Sequence, residues 1–550
     1  MEIVPISNRF KLYDQLELQE FHDKYVIKSV ESPDQGFSIC RRDGNIELLS
    51  DTTCSGSPSR VSTIFGVGGT IRLLTGTYLL IITSRKEVGF FLGFPIFRVV
   101  SMKFLACNTD MRFSTSQEKR DEAYFMTLLK TVENTPGLYY SYETDITLNC
   151  QRRYKLAEGW MCKPMWKQAD PQFVFNRNLL EELIECKLDG FIIPIVQGNI
   201  SQFDREDIIS FQCILSILVS LFQIRGSIPL LWEQIVDLSY KPQLRIINHE
   251  QTPKVVERHF HNLLQRYGET IAVDLTDKQG DEGLLSMAFA AETQKLPNVR
   301  YVPFDFHHVC GNSNFDKLQI LYDQISEEFA KQGYFLVDEE RNILEEQRGI
   351  IRCNCIDSLD RTNVTQSYLA QKSLNAQLQR VGVLTSIECI SNFVEDYSKF
   401  RTLWAEQGDE ISLQYAGTHA LKGDLVRYGK QTIGGLIKDG MSAVSRYYLN
   451  NFHDGVRQDA LDLISGRYTV NRNNSPFQLN GFESFAYLPV ASALLIGGLT
   501  LTSVTLQQAG RNAHQYLSSV LWAGMTAGVM AVVKANGRQF CSRPRLCRLL

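Results

Sequence analysis

The sequence carries no excess of positive charge. Its 57 Lys and Arg stand against 61 Asp and Glu, a formal net charge of -4 with charged residues at 21%, so it lacks the global basic field that draws a protein onto nucleic acid. It also lacks internal repeats of fixed period and extended low-complexity tracts, which excludes a repeat array. The first residues, MEIVPISNRF, have neither the apolar core nor the small-residue cleavage site of a secretion signal. The 13 cysteines are scattered apart from Cys353 and Cys355, and the expectation is a reducing, cytosol-facing protein with free thiols. What is present is length: 550 residues leave room for two or three domains around a large buried core.

Residues 1–150 read mostly as short strands, with the β-branched run TYLLIIT at 77–83 followed after a charged turn by GFFLGFPIFRVV, and predict a β-rich N-terminal domain. From about residue 175 onward, helical and strand patterns alternate, as in EELIECKL, FIIPIVQG, VVERHFHNLLQRYG and KLQILYDQISEEFAKQG. That alternation predicts an α/β domain over 151–470. The Asn-rich stretch GRYTVNRNNSPFQLNG at 466–481 has turn-forming composition, which places a linker at 471–483.

Beyond the linker the solvent changes. Residues 484–506 are uncharged and long enough to cross a hydrocarbon layer of roughly 30 Å as a helix, and 516–533 have the minimum length to do so. Only QQAGRNAH lies between them. The pattern predicts a two-helix transmembrane hairpin over 484–533, with Gly497, Gly498, Gly524 and Gly528 suited to close helix contact. The tail, 534–550, holds Lys534, Arg538, Arg543, Arg545 and Arg548 against Arg511 in the turn, an asymmetry that keeps tail and body in the cytosol. The alternative is a pair of buried apolar helices in a soluble protein.

Two segments space a cysteine and an arginine six apart: CSGSPSR at 54–60 and CIDSLDR at 355–361. The bare pattern is expected by chance about once in such a chain. A phosphate-binding loop needs backbone N–H groups converging on the anion and a helix N-terminus pointing at it. The apolar strand GIIRCN precedes Cys355, and TNVTQSYLAQKSLNAQLQR, with Val364, Tyr368, Leu374 and Leu378 at helical spacing, follows Arg361. This is strand, loop, helix. Cys54 precedes VSTIFGVGGTIRLL, β-branched and broken by glycine, and reads as a surface turn. Gly66, Gly68 and Gly69 also miss the dinucleotide fingerprint, since Ile71 occupies the place of its third glycine.

The loop implies phosphoryl transfer to sulfur. A cysteine with a free pKa of about 8.5 needs cationic or dipolar neighbours to become the thiolate nucleophile, and Arg361 with the helix N-terminus are expected to supply them. The same guanidinium would grip two phosphate oxygens. Cys355 would attack phosphorus to form a phosphocysteine that water hydrolyses, with Thr362 hydrogen-bonded to the sulfur. Asp357 is favoured as general acid over Asp360, which reads as a salt-bridged brace. Arg352 and Asn354 are read equally as strand-edge braces and as substrate contacts.

The run RCNCIDSLDRTN at 352–363 resembles the signature of the Sac-domain phosphoinositide phosphatases, R-x-N-C-x-D-x-L-D-R-T-N, at every fixed position. Similarity extends through GVGGTIRLLTGTYLLIIT, LTDKQGDEGLL, FDFHHVCGN, GDEISLQYAGTHALKGD and LNNFHDGVRQDALDLISGRY, about residues 40–470. The resemblance implies an α/β catalytic domain with a cysteine phosphatase P-loop, behind a β-rich N-terminal domain and ahead of the transmembrane hairpin, and phosphatidylinositol phosphates, monophosphates above all, as substrates. It implies Cys355, Arg361, Asp357 and Asp360 as catalytic residues, with Asn354, Ile356, Ser358, Leu359, Thr362 and Asn363 around the substrate. No metal or other cofactor is implied, and His259 with His261 lack the spacing of a zinc site. Lys278 reads as a solvated side chain. The hairpin is similar to that of members in the endoplasmic reticulum and Golgi, which sets the expected location, with phosphoinositide lipids in a membrane as partners and no nucleic acid.

One segment departs from the family. Between IPIVQG and RGSIPLLWEQ the family carries an arginine-rich stretch, and here NISQFDREDIISFQCILSILVSLFQI stands instead. Residues 208–224 are apolar and read as a buried helix. Losing basic residues there removes contacts to anionic lipid worth about 1 kcal/mol each. This leaves a catalytically impaired lipid-binding or tethering protein as the alternative, with a protein tyrosine phosphatase behind it.

Overall fold

A computed structural model of the chain describes residues 9–49, 57–108, 110–112, 114–157, 159–201, 218–247, 249–311, 314–338, 340–472, 475–477, 488–508 and 513–547. In the N-terminal body, strands β1–β5 (Leu16–Glu20, Lys24–Ser29, Gly36–Cys40, Ile46–Leu48, Arg60–Ile64) form an antiparallel sheet in the order β4-β3-β2-β1-β5. A second antiparallel sheet, β6–β10 (Gly66–Arg72, Thr77–Phe91, Phe94–Ala106, Leu138–Tyr140, Val196–Gln197), has the order β10-β9-β8-β7-β6. The unbroken apolar run in β7 has a physical reason. Successive side chains point to opposite faces, so Tyr78, Leu80 and Ile82 enter one core while Leu79 and Ile81 enter the other. The first of these cores also takes Phe125, Leu128 and Val132 from α1 (Ser116–Glu133). Because Val196 pairs with Tyr139, this body continues past residue 150 to Gln197. The segment at 54–56 lies outside the described residues, and the chain runs on from it into β5 and β6.

The second body is built on a parallel sheet of β11 (Ile224–Gly226), β12 (Glu269–Asp274), β13 (Val299–Pro303) and β14 (Gly349–Asn354), ordered β11-β14-β12-β13. Both faces are covered, as a parallel sheet requires. On one side Ala272 and Ile350 pack with Val256, Phe260 and Phe289 of α2 (Thr252–Tyr267) and α3 (Gly280–Thr293). On the other, Ile271, Ile351 and Cys353 pack with helix Leu318–Gln332 and with Val364 and Leu369 of α4 (Asp360–Arg380). Next in the chain are α5 (Val394–Ala416), α6 (Ile433–Phe452) and α7 (Asp454–Ile464), whose Ala460, Leu463 and Ile464 return to the N-terminal core.

The apolar run read as a helix over 208–224 is corrected where it is described. Leu218–Ser220 is a strand antiparallel to Phe335–Val337, and Ile224 opens β11. Their backbone groups are satisfied by neighbouring strands, Phe335–Val337 and β14, instead of within a helix. Residues 202–217 lie outside the described residues, as does most of the linker. After it come α8 (Leu488–Gln508) and α9 (Ala513–Ala535), which touch at Gly498, where an added Cβ would stand 2.2 Å from Thr526 Oγ1. Within α9, His514–Ala535 is long and apolar enough to cross a membrane, and little of its most apolar stretch is buried. The turn between the two helices, with Arg511, lies outside the described residues.

Candidate active site

β14 is buried at every position, and the chain turns sharply at its end to enter α4. Ser358 adopts φ +58°, and Asp357 Oδ1 accepts the Leu359 N–H at 3.1 Å. The loop is fastened from β11. Arg225 donates Nη2 to the carbonyls of Ser358 (2.5 Å) and Leu359 (2.9 Å) and Nη1 to Asn363 Oδ1 (3.2 Å), while Ser227 Oγ donates to the Ile356 carbonyl at 2.8 Å. Sequence reasoning missed both residues. Their signal lay in RGSIPLLWEQ, which had served only as the border of the altered segment.

Cys355 is wholly buried. Its thiol donates to Asp357 Oδ1 at 3.2 Å and accepts from Thr362 Oγ1 at 3.3 Å. Burial, followed by the charge of Asp357, pushes the thiol up to about 11, against the opposing pull of Arg361 and Thr362. In this conformation burial outweighs the pull of Arg361 on the sulfur, and the guanidinium itself is paired with carboxylates. Arg361 Nη1 and Nη2 meet Glu282 Oε2 and Oε1 at 2.8 and 3.3 Å, and Nη1 also reaches the Leu275 carbonyl (3.2 Å) and Asp277 Oδ1 (3.5 Å). Glu282, in the first turn of α3, was visible in LTDKQGDEGLL but had no assigned role. Lys278 beside it is exposed.

The two loop aspartates differ. Asp360 Oδ1 accepts the Leu421 N–H at 2.8 Å and Oδ2 lies 3.2 Å from Arg446 Nη1, with burial raising its pKa against the pull of Arg446. Both its oxygens are engaged away from the sulfur, whereas Asp357 sits against it.

Two expected substrate contacts are engaged by the protein itself. Asn354 is wholly buried, donating to Asp274 Oδ1 at 2.7 Å and accepting from Arg352 Nη1 at 3.0 Å. Asn363 is spent on the Trp404 carbonyl at 2.8 Å and on Arg225. Their amides hold the loop from behind, where a buried polar group must be matched. Leu359 is likewise buried, and Ile356 packs against the core shared with α2 and α3. Ser358 Oγ, also buried, has no partner among the described residues. Arg352 is a brace: Nε donates to His259 Nε2 at 3.0 Å and Nη2 to the Ser227 carbonyl. Burial and that cation together lower His259 to about 4. His261 pairs with Gln265 instead. Among the described residues no group of three or more His, Cys, Asp or Glu is placed to hold a metal ion.

The SacI homology domain family matches the chain over residues 65–210 and 204–311. The phosphoinositide phosphatase SAC8 of Arabidopsis thaliana is 66% identical, covering 100% of both chains. SAC7 of the same plant, also named a phosphoinositide phosphatase, is 41% identical over 98% of this chain and 99% of its own. The phosphatidylinositol-3-phosphatase SAC1-A of Danio rerio is 31% identical over 97% and 98%. The first of these alignments runs over 589 positions against 550 residues here, so at least 39 positions face no residue of this chain. The two family matches meet at 204–210, inside the altered segment.

Proposed function

The chain belongs to the SacI homology family and is a phosphoinositide phosphatase, and on that premise we propose that it hydrolyses phosphatidylinositol monophosphates, phosphatidylinositol 4-phosphate among them, through a phosphocysteine at Cys355. The observation that carries this reading is the sulfur held between Asp357 and Thr362 at the mouth of α4. The proton on Sγ already has Asp357 as its acceptor. Its transfer leaves a thiolate and a neutral carboxylic acid. The thiolate attacks phosphorus, an S–P bond forms, the P–O bond to the inositol ring breaks, and the Asp357 proton goes to the departing ring oxygen. Water then attacks the phosphocysteine, giving its proton back to Asp357, and Thr362 Oγ1 stabilises the sulfur as it leaves. Arg361 would exchange Glu282 for two phosphate oxygens, bringing its cation to the charge spread over the transferring group. The N–H groups of Ile356, Asp357 and Ser358, which have no acceptor among the described residues, would complete the cradle.

The body would work on the membrane that holds its substrate. In this reading α8 and α9 form a transmembrane hairpin in the endoplasmic reticulum or Golgi with body and tail cytosolic. The length of α9, the outward apolar side chains of both helices and the basic tail support it. Tethering raises the effective concentration of a surface-confined substrate. The positions that face no residue here favour a second reading, an impaired enzyme retained as a lipid-binding tether. Incubating the full-length protein with phosphoinositide vesicles and with a phosphotyrosine peptide, beside Cys355→Ser, separates the readings. Phosphate release from lipid alone, lost in the variant, and a phosphorylated Cys355 after acid quench are the expected results. Folded protein that releases nothing from lipid selects the tether.

A further inference from the structure

The buried face of α6 serves the active site, and its opposite face is bare. Ile433, Leu436, Ile437, Met441, Val444 and Tyr448 are between 53% and 81% exposed. They fall at i, i+3, i+4, i+8, i+11 and i+15, one stripe of a helix about 30 Å long. No described element packs on them. Six large apolar side chains contiguous in water are a cost that a monomeric soluble surface avoids.

Two observations say what covers the stripe. The first is where α9 ends. Its exit is docked on the last turn of α6: Asn451 accepts the Ser542 N–H on its carbonyl at 2.7 Å and, on Oδ1, the Cys541 thiol at 3.3 Å and the Leu238 N–H at 3.3 Å. Gly537, two residues past α9, lies so close to Asp237 that a Cβ would stand 2.1 Å from its carbonyl oxygen. An apolar helix of membrane-spanning length therefore leaves off beside one end of the stripe. The second is charge: Lys430, three residues ahead of the helix, is exposed, and so is Lys438 on the flank of the stripe, which touches Asp409 Oδ2 only at 4.0 Å, as cations within reach of anionic headgroups would be.

We propose that the outer face of α6 lies in the headgroup boundary of the bilayer that carries the hairpin, and that it sets the catalytic loop at the height of its lipid substrate. The connection to the loop is direct. On the inner face Arg446 holds Asp360, the first residue of α4, at 3.2 Å, and reaches Ser412 Oγ (2.8 Å) and the His419 carbonyl (3.1 Å). One helix thus touches lipid on one side and the catalytic loop on the other. This rests on the membrane reading above and adds a second, peripheral contact to it. Because the hairpin keeps the enzyme at the surface in any case, altering the stripe changes presentation of the loop and not recruitment.

The test compares Ile437→Asp/Val444→Asp with Ile437→Leu/Val444→Leu in full-length protein reconstituted into phosphatidylcholine vesicles containing phosphatidylserine. The substrates are long-chain phosphatidylinositol 4-phosphate in the vesicle and its soluble dibutanoyl analogue. The aspartate pair is expected to lose about tenfold or more in kcat/KM on the vesicle substrate and to keep its rate on the soluble one, while the leucine pair keeps both. Rates that fall together, or a vesicle rate that does not fall, overturn the proposal. So does a concentration-dependent dimer of the wild type that the aspartates dissociate, since the face would then belong to a second copy. Independently of turnover, a photoreactive amino acid at Met441 is expected to crosslink to lipid, and one at Lys295 is not. Equal labelling at both sites overturns the proposal even where the catalytic reading fails.

Discussion

Around Cys355 the charged side chains are matched at short range, Arg361 by Glu282, Asp360 by Arg446 and Arg352 by His259 and carbonyls. Along α8 no residue between Leu488 and Gln508 is charged, and large apolar side chains such as Leu494, Ile496 and Leu499 face outward. One region depends on specific partners, the other on bulk composition. A single exchange should therefore damage the loop severely and the apolar helix pair hardly at all, and the contrast can be broken at its strongest points.

Arg225 is the severest test. Its guanidinium is buried, with a pKa lowered by desolvation, and it holds three groups of the loop at once. Arg225→Met keeps the volume and leaves two carbonyls and Asn363 without their donor. Activity should fall by about a hundredfold or more, since small misplacements of reacting groups cost that much. Steady-state kinetics check this, with circular dichroism showing that the fold survives. A variant within threefold of wild type would mean that the loop holds its shape unaided.

Glu282→Gln addresses the conformation of Arg361. Removing one partner of a largely buried ion pair costs about 3 kcal/mol, so denaturant melts should show a loss of that order. Added inorganic phosphate should restore part of it, because an anion at the loop takes over the freed guanidinium. Equal effects of phosphate on wild type and variant would show that Arg361 does not change partners.

His259 gives the comparison a pH axis. Its pKa falls from 6.5 to about 4 in the folded chain, so the unfolded state binds the proton more readily. The stability it contributes is fully present above pH 6.5 and is lost as pH falls toward 4, about 3 kcal/mol at roughly 1.4 kcal/mol per unit. His259→Gln keeps an acceptor for Arg352 and should flatten thermal stability over that window, leaving other acid-sensitive groups unchanged.

These partners also show what could be read in advance. The loop, its strand and α4 were legible because each is local: GIIRCN alternates between two buried faces, and the helix carries its apolar residues at 3.6 spacing. The pair α8 and α9 was legible because composition alone defines it. Arg225, Glu282 and Arg446 were not, for they lie about 136, 79 and 85 residues from Arg361 in sequence and become neighbours only when β11, α3 and α6 converge on the start of α4. For the same reason the amides of Asn354 and Asn363 looked available to substrate until the polar groups behind them were in place. The outer face of α6 escaped notice because an amphipathic pattern declares a face without declaring what meets it.

Where the two regions join, Gly537 offers a smaller effect. Gly537→Ala places a methyl 2.1 Å from the Asp237 carbonyl oxygen, and the backbone must shift. About 1–3 kcal/mol of docking should be lost, seen as faster proteolysis of the tail with the rate on soluble substrate unchanged. A tail no more sensitive than in wild type would show that this contact does not hold the exit of α9 to the body.

The smallest expected effect separates backbone from side chain at Ser358. Its φ of +58° costs a non-glycine residue on the order of 1 kcal/mol, and glycine relieves that strain while raising the entropy of the unfolded chain by a similar amount. Ser358→Gly should therefore change stability by less than about 1 kcal/mol, and Ser358→Ala, which keeps the strain, should do no more than remove a buried hydroxyl that has no partner among the described residues. If that hydroxyl donates to the phosphate of the bound lipid, both variants lose activity to the same extent, about tenfold for one charge-assisted hydrogen bond of roughly 1.5 kcal/mol. If only the glycine variant loses activity, what matters at this position is the fixed left-handed turn that aims the loop, and the hydroxyl contributes nothing to phosphate binding.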